Sequence, residues 1–210
     1  MKIVAISDTH GKHQSLVLPK GDMLIHAGDV SSRGKEIEII EFLKWFGSLD
    51  FKYKIFIAGN HDFYFERYSH NIEKLNQIIP LNLIYLNDNS IEIEGINIWG
   101  SPISPWFYNW AFNRFRGEDI MKHWYKIPQN TDILITHGPV FGILDKTTRN
   151  ERVGCKDLLR KVGEIKPKFH ICGHIHEAYG HIKQGDTEYI NASVLDENYN
   201  LRNKPLVFEI

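Results

Sequence analysis

The chain has 210 residues, 42% hydrophobic and 24% charged, a globular composition that excludes a disordered or fibrous protein and suits one domain over residues 1–210. With 25 Lys and Arg against 26 Asp and Glu, its formal net charge is −1, so it lacks the basic excess expected of a protein that grips nucleic-acid backbones. Its 2 cysteines, Cys155 and Cys172, are too few for a disulfide framework and fit a reducing compartment, each as a small buried apolar residue.

In chain order, Ile3–Ile6 predicts a first strand that ends in Ser7-Asp8-Thr9-His10-Gly11. This apolar run is shorter than the ~7–15 residues of a secretory signal core, and no stretch approaches the roughly 18 apolar residues of a membrane span, so a cytoplasmic protein is expected. Met23–Ile25 predicts a second strand, ending in His26-Ala27-Gly28-Asp29. From Lys35 to Phe46 the residues Ile37, Ile40, Phe42, Leu43 and Phe46 fall close to helical spacing, with Gly47 placed to stop the helix. Lys54–Ile57 predicts a third strand, ending in Ala58-Gly59-Asn60-His61-Asp62.

Ser90–Trp99 alternates around Glu94-Gly95 and predicts a hairpin, followed by a helix over Gly117–Trp124. Ile133–Ile135 ends in Thr136-His137-Gly138-Pro139, a short helix is expected over Lys156–Gly163, and Phe169–Ile171 ends in Cys172-Gly173-His174-Ile175-His176. A second hairpin over Tyr179–Ile190 and a terminal strand over Leu206–Ile210 complete the chain. Runs this uniformly apolar suit strands buried on both faces of a sheet, and the drift from strand–helix alternation to β-rich sequence predicts α/β layers with more than one sheet.

Ligands of open α/β sheets bind at the carboxyl ends of the strands. Here those ends carry Asp8, His10, Asp29, Asn60, His61, His137, His174 and His176, so five of the 11 histidines fall at strand-to-loop junctions. Carboxylate, amide oxygen and neutral imidazole suit Mn, Fe, Zn or Ni, and a set this large suits two ions sharing a carboxylate, roughly 3.5–4 Å apart. Gly28, Gly59, Gly138 and Gly173 abut these residues, where the backbone must approach closely. His26 is expected in the core beside the site; His13, His70, His123, His170 and His181 match no ligand position and are expected in packing or at the surface. Trp106-Phe107-Tyr108-Asn109-Trp110, with Phe112, Phe115, Asn113, Arg114 and Arg116 after it, has two readings. It is either a loop sealing a sheet edge or a cap that stacks on a nucleobase while Asn113 or an arginine steadies phosphate. Arg149 and Arg152 are open between phosphate contact and solvated surface.

Asp8-Thr9-His10, Gly28-Asp29, Gly59-Asn60-His61-Asp62, Thr136-His137-Gly138 and Gly173-His174-Ile175-His176 resemble, in order, the five signature blocks of the calcineurin-like metallophosphoesterase superfamily. Ser104-Pro105-Trp106, Trp110-Ala111-Phe112-Asn113, Arg152-Val153-Gly154-Cys155 and Glu177 narrow the resemblance to its metallophosphoesterase-domain-containing subfamily, associated with phosphodiester and cyclic-nucleotide hydrolysis. Some members of that group lack a histidine of the last block, whereas His174 and His176 are both present here.

The resemblance implies a four-layer α-β-β-α sandwich, two stacked mixed sheets flanked by helices. It implies that Asp8, His10 and His176 bind one divalent ion and Asn60, His137 and His174 a second, with Asp29 bridging and manganese the first expectation. It also implies that His61, its ring oriented by Asp62, contacts phosphate or protonates the leaving oxygen. The expected reaction is hydrolysis of a small phosphodiester or nucleotide by in-line attack of a hydroxide held between the ions. A phosphomonoesterase and a non-catalytic scaffold for protein binding are the alternatives, and a nuclease is disfavoured by the charge balance.

Overall fold

Alternate residues of the central strands enter two different apolar layers. In the computed structural model, which describes residues 1–210, Ile3 and Ala5 face one cluster while Val4 and Ile6 face another. Ile55 and Ile57 against Phe56, and Ile133 and Ile135 against Leu134, divide in the same way. A strand covered on both faces has no polar side to present, hence the unbroken apolar runs.

The elements are β1 (Lys2–Ile6), β2 (Met23–Ala27), α1 (Glu36–Ser48), β3 (Tyr53–Ile57), α2 (Phe63–Arg67), α3 (Ile72–Asn76), β4 (Ile84–Tyr85), β5 (Asn89–Ile93) and β6 (Ile96–Ser101). They continue with β7 (Ser104–Pro105), β8 (Asn113–Arg114), α4 (Glu118–Trp124), β9 (Ile133–Thr136), α5 (Lys156–Ile165), β10 (Phe169–Cys172), β11 (Gly180–Gln184), β12 (Thr187–Asn191) and β13 (Leu206–Glu209). One large sheet has the order β13-β1-β2-β3-β4, the other β11-β12-β10-β9-β6-β5, and β7 pairs with β8 alone. Both large sheets are mixed: β13, β11 and β5 run antiparallel at edges of otherwise parallel sheets.

Ile25, Ile55, Ile135 and Ile171 meet between the sheets. Outside the first sheet, Phe42 of α1 sets its ring 5.6 Å from that of Phe56. Outside the second, Trp124 of α4 lies 6.5 Å from Trp99 and shares an apolar cluster with Leu158 and Val162 of α5. The expected four-layer α-β-β-α sandwich is the fold observed. No helix is long and apolar enough to cross a membrane.

Two local expectations need correction. Gly47 does not stop α1, which runs on to Ser48 and ends at Leu49, where the backbone becomes extended. The buried face of α1 is Ile39, Phe42, Leu43 and Phe46, while Ile37 and Ile40 are exposed, because the stripe facing the sheet is narrower than the apolar pattern suggests. The hairpin turns lie where expected: Glu94 and Gly95 both adopt the positive φ that tight two-residue turns need.

The parallel strands of both sheets end along one edge, and hydrogen bonds join the sheets there. Ser7, just past β1, bridges to Ser193, just past β12. Val194 N–H donates to the carbonyl of Ser7 across that junction, and within each sheet Gly173 N–H donates to the carbonyl of His137 and Asp8 N–H to that of Gly28. The loops carrying the polar residues are thereby fastened to one another.

Candidate metal centre

The side chains expected to bind metal converge at this edge in two adjoining groups. Asp8, His10 and His176 form one, with His176 Nε2 3.4 Å from Asp8 Oδ1 and 3.4 Å from His10 Nε2. Asp29, His137 and His174 form the other, joined by Asn60, whose Oδ1 lies 2.9 Å from His137 Nε2. Asp29 stands between them: its Oδ2 is 3.3 Å from His137 Nε2 and 3.6 Å from His10 Nε2. Two ligands at right angles on one ion with bonds of ~2.1 Å lie about 3 Å apart, so these separations fit cation coordination.

Four of these residues have left-handed backbones: Asp8 (φ 56°), His10 (42°), Asp29 (55°) and His174 (70°). Each such non-glycine conformation costs on the order of 1–3 kcal/mol and persists where the surroundings fix it, often at functional sites. The loops also leave no room beside the donors. A Cβ at Gly59 would overlap Asp29, and one at Gly173 would overlap Asp8 and Ser7. Gly28 combines a φ of 98° with a Cβ position only 2.6 Å from His137 Nδ1. Gly138 differs from expectation: its Cβ would meet Ser104 at an ordinary 3.7 Å, so close approach does not explain this glycine.

Hydrogen bonds behind the donors set their orientation. His137 Nδ1 donates to the Ala27 carbonyl and His176 Nδ1 to that of Asp196, which turns each Nε2 toward the carboxylates. Asp8 accepts from the His174 N–H and from Ser193 Oγ (2.7 Å), and Asp29 Oδ1 accepts from the His61 N–H (2.8 Å). His26, in the core as expected, places Nε2 3.0 Å from the Thr9 hydroxyl between Asp8 and His10.

The charged groups of the cluster compensate one another. Burial opposes charge on Asp8 and Asp29, yet the surrounding imidazoles, chiefly His176 and His137 respectively, hold both well below the usual carboxylate range. Against burial, Asp8 lifts His176 and Asp29 lifts His137, each to about 9. Burial pushes His10 and His174 down to about 4, which keeps them neutral and ready to coordinate. The donors therefore fit divalent metal: two buried carboxylates, four imidazoles and an amide, with no thiolate among them. A metal binding here would displace protons from His137 and His176.

His61 lies beside both groups, Nε2 4.0 Å from Asp29 Oδ2. Its expected orientation by Asp62 is not what the structure has. Asp62 is fully buried and turns away, accepting from Val30 N–H, Ser31 N–H, Ser31 Oγ and Gly59 N–H. Burial and the charge of Asp29 push its carboxyl up to about 6. The His61 ring is oriented instead by the Ser32 carbonyl, which accepts from Nδ1 at 2.8 Å, and by Trp110, stacked 4.3 Å away at 28°. Asp62 reaches the ring only through the Val30–Ser32 segment.

The remaining aromatics separate. Trp106, Phe107 and Tyr108 rim a cavity of about 620 Å³ that reaches His174 and has Arg149 and Arg152 on its wall. Asn113 binds the Phe107 carbonyl and the Ser104 hydroxyl, and Arg114 the Asn113 carbonyl, so both hold the loop rather than offer themselves to phosphate. Arg116 donates to the Val153 and Gly154 carbonyls, and Arg152 pairs with Asp145 at 2.9 Å. Arg149 is exposed and has no internal partner.

Ser193 and Tyr199 were not among the expected site residues. Ser193 had only a weak signal: β12 (Thr187–Asn191) runs parallel to β10 and leads to small polar residues at the same edge, but its sequence lacks the unbroken apolar run of the other strands. Tyr199, with its ring 5.0 Å from those of both His10 and His176, had none.

A sequence model of the calcineurin-like phosphoesterases matches residues 1–178. The human metallophosphoesterase domain-containing protein 1 is 41% identical over 230 aligned positions, spanning 100% of this chain and 71% of that protein. An uncharacterised protein of Methanocaldococcus jannaschii is 30% identical over 207 positions, 92% of this chain and 88% of its own. A crystal structure of a Thermus thermophilus protein is similar in fold, with a TM-score of 0.67 at 12% identity over 90% of this chain and 88% of that one.

Proposed function

The chain belongs to the calcineurin-like phosphoesterase family, and we propose that it is a dinuclear metal-dependent phosphodiesterase acting on small diesters, cyclic nucleotides among them. The observation that carries this reading is the position of Asp29, whose one oxygen faces His10 on one side and His137 on the other. The first ion would be held by Asp8, His10 and His176, the second by Asn60, His137 and His174, with Asp29 shared. Divalent metals there supply Lewis acidity that activates water near neutral pH and offsets charge on phosphoryl oxygens.

The chain supplies orientation and a proton. Main-chain carbonyls lock the His137 and His176 rings, so the donors need little rearrangement during the reaction. With Nδ1 held on Ser32, a protonated His61 presents its Nε2–H toward the space facing Asp29, where it can donate to the departing oxygen. The cavity beside His174 supports a diester, because it offers room and aromatic surface for the second esterified group. The unpaired, buried thiols of Cys155 and Cys172 support a cytoplasmic location.

The test is turnover of an aryl diester, an aryl monoester, and 2′,3′- and 3′,5′-cyclic nucleotides by metal-stripped protein given Mn, Ni, Zn or Fe. Diesters should be cleaved fastest, with manganese effective. A monoester cleaved faster would make it a phosphomonoesterase, and no turnover with any metal would favour a scaffold.

A further inference from the structure

Three imidazoles of the cluster are oriented by hydrogen bonds from Nδ1 to main-chain carbonyls: His61 to Ser32, His137 to Ala27 and His176 to Asp196. His10 and His174 have no such bond, and of the two only His10 has its unpartnered Nδ1 fully buried. The His10 ring is only 5% exposed, and its Nε2 must face both Asp29 and His176. What touches the ring is aromatic. Tyr199 meets it at 5.0 Å and 63°, and His61 at 4.5 Å and 81°.

Tyr199 is itself firmly held. It lies in a tight turn in which Tyr199 N–H donates to the Asp196 carbonyl and Asp196 N–H to that of Asn200. The Asp196 carboxylate accepts from the N–H groups of Asn198 and Asn200, and Leu195 pairs with Leu201 across the base. Lys12 Nζ fastens the turn from outside through the Tyr199 carbonyl. The backbone of Tyr199 is left-handed, φ 60°, a strained conformation for a bulky side chain that points the ring at the cluster. The same turn supplies the Asp196 carbonyl that orients His176, and the Tyr199 ring lies 5.0 Å from His176 at 69°.

We propose that Tyr199 is a positioning residue for the first ion: its ring packs His10 and His176 into coordinating orientation, in place of the hydrogen bond that His10 lacks. This rests on the assignment of Asp8, His10 and His176 as ligands. The ring does the positioning, since the Tyr199 hydroxyl has no partner in the protein, so Phe can replace Tyr and Ala cannot. The ring contacts of Tyr199 are to His10 and His176 and not to His137 or His174, so the second ion should be indifferent to the change.

The experiment is manganese titration of metal-stripped wild-type, Tyr199→Phe and Tyr199→Ala proteins, with imidazole proton spectra and melting curves of the same metal-free samples. The wild type should bind two equivalents. Tyr199→Ala should lose about 10- to 100-fold in affinity at one site only, as when a group orienting a metal-bound imidazole is removed. In metal-free Tyr199→Ala the His10 and His176 ring signals should shift while those of His137 stay, and Tyr199→Phe should match the wild type in both measurements. Unchanged affinity and ring signals in Tyr199→Ala, or an equal loss in Tyr199→Phe, would overturn the proposal. If Tyr199→Ala melts as an unfolded chain, Tyr199→Leu takes its place, and wild-type affinity in that variant would count equally against it. A wild type that binds fewer than two equivalents would instead refute the ligand assignment on which the proposal rests.

Discussion

Replacing Gly28 by Ala should be among the most damaging single-methyl changes in this protein. Two costs combine. The φ of 98° is outside the range that side-chain-bearing residues adopt easily, which costs about 1–3 kcal/mol. The added Cβ would also stand 2.6 Å from His137 Nδ1 and 2.7 Å from the Ala58 carbonyl, and overpacking of that kind costs typically 1–3 kcal/mol. Together these give about 2–6 kcal/mol, a large part of the ~5–15 kcal/mol that holds a folded domain together.

In a chain of this length 1 kcal/mol moves Tm by roughly 2–4 °C, so a loss of about 4–24 °C is expected. Two other glycines separate the contributions. Gly185 has a φ of 62° but open space around it, so Gly185→Ala should show backbone strain alone, ~1–2 kcal/mol. Gly138 has neither a left-handed φ nor a clash, so Gly138→Ala should change stability by less than about 1 kcal/mol. Calorimetric or optical melting of the metal-free proteins provides the series. Equal Tm values for Gly28→Ala and Gly138→Ala would refute the close approach of the Gly28 backbone to His137.

Burial pushes His170 down to about 3, while an unfolded histidine titrates near ~6.5, so the folded state resists protonation and its stability, full above pH ~6.5, falls as pH drops toward 3. Urea unfolding of metal-free protein should show about 2 kcal/mol of this loss between pH 7 and pH 5, and His170→Gln should remove that share of the slope; parallel pH profiles would contradict it. Trp106→Ala should raise KM for nucleotide diesters roughly 5–150-fold while sparing a small aryl diester, since base stacking is worth ~1–3 kcal/mol. Trp110→Ala should slow both substrates through His61, and a nucleotide-specific KM effect there would return Trp110 to base binding. His61→Ala should keep both metals and lose ~10²–10⁴-fold on a cyclic nucleotide, less on an activated aryl diester that needs no proton to depart; reduced metal content would make His61 a ligand.

The sequence was most legible where one physical constraint acted alone. Strands buried on both faces have to be apolar throughout, and a donor set needs particular residue types at their ends, so β1, β2, β3, β9 and β10 could be located together with Asp8, Asp29, Asn60, His137 and His174. The five-residue helices α2 and α3 are too short for a periodic signal. Asp62 follows His61 directly, which suggested contact between them. As the residue that opens α2, however, it turns its carboxylate back to the Gly59 and Ser31 N–H groups, which neighbourhood along the chain does not reveal. Trp110 is 49 residues beyond His61 and Tyr199 is 189 beyond His10, and neither meets its partner through a pattern in the sequence.

The central claim is that Asp29 is shared by two metal ions, and elemental analysis of metal per chain tests it most directly. Wild-type protein reloaded with manganese and passed through a desalting column should retain two equivalents at full diesterase activity. Asp29→Ala should retain at most one and be inactive. A wild type fully active with a single equivalent, or an Asp29→Ala protein that keeps both, would contradict the account.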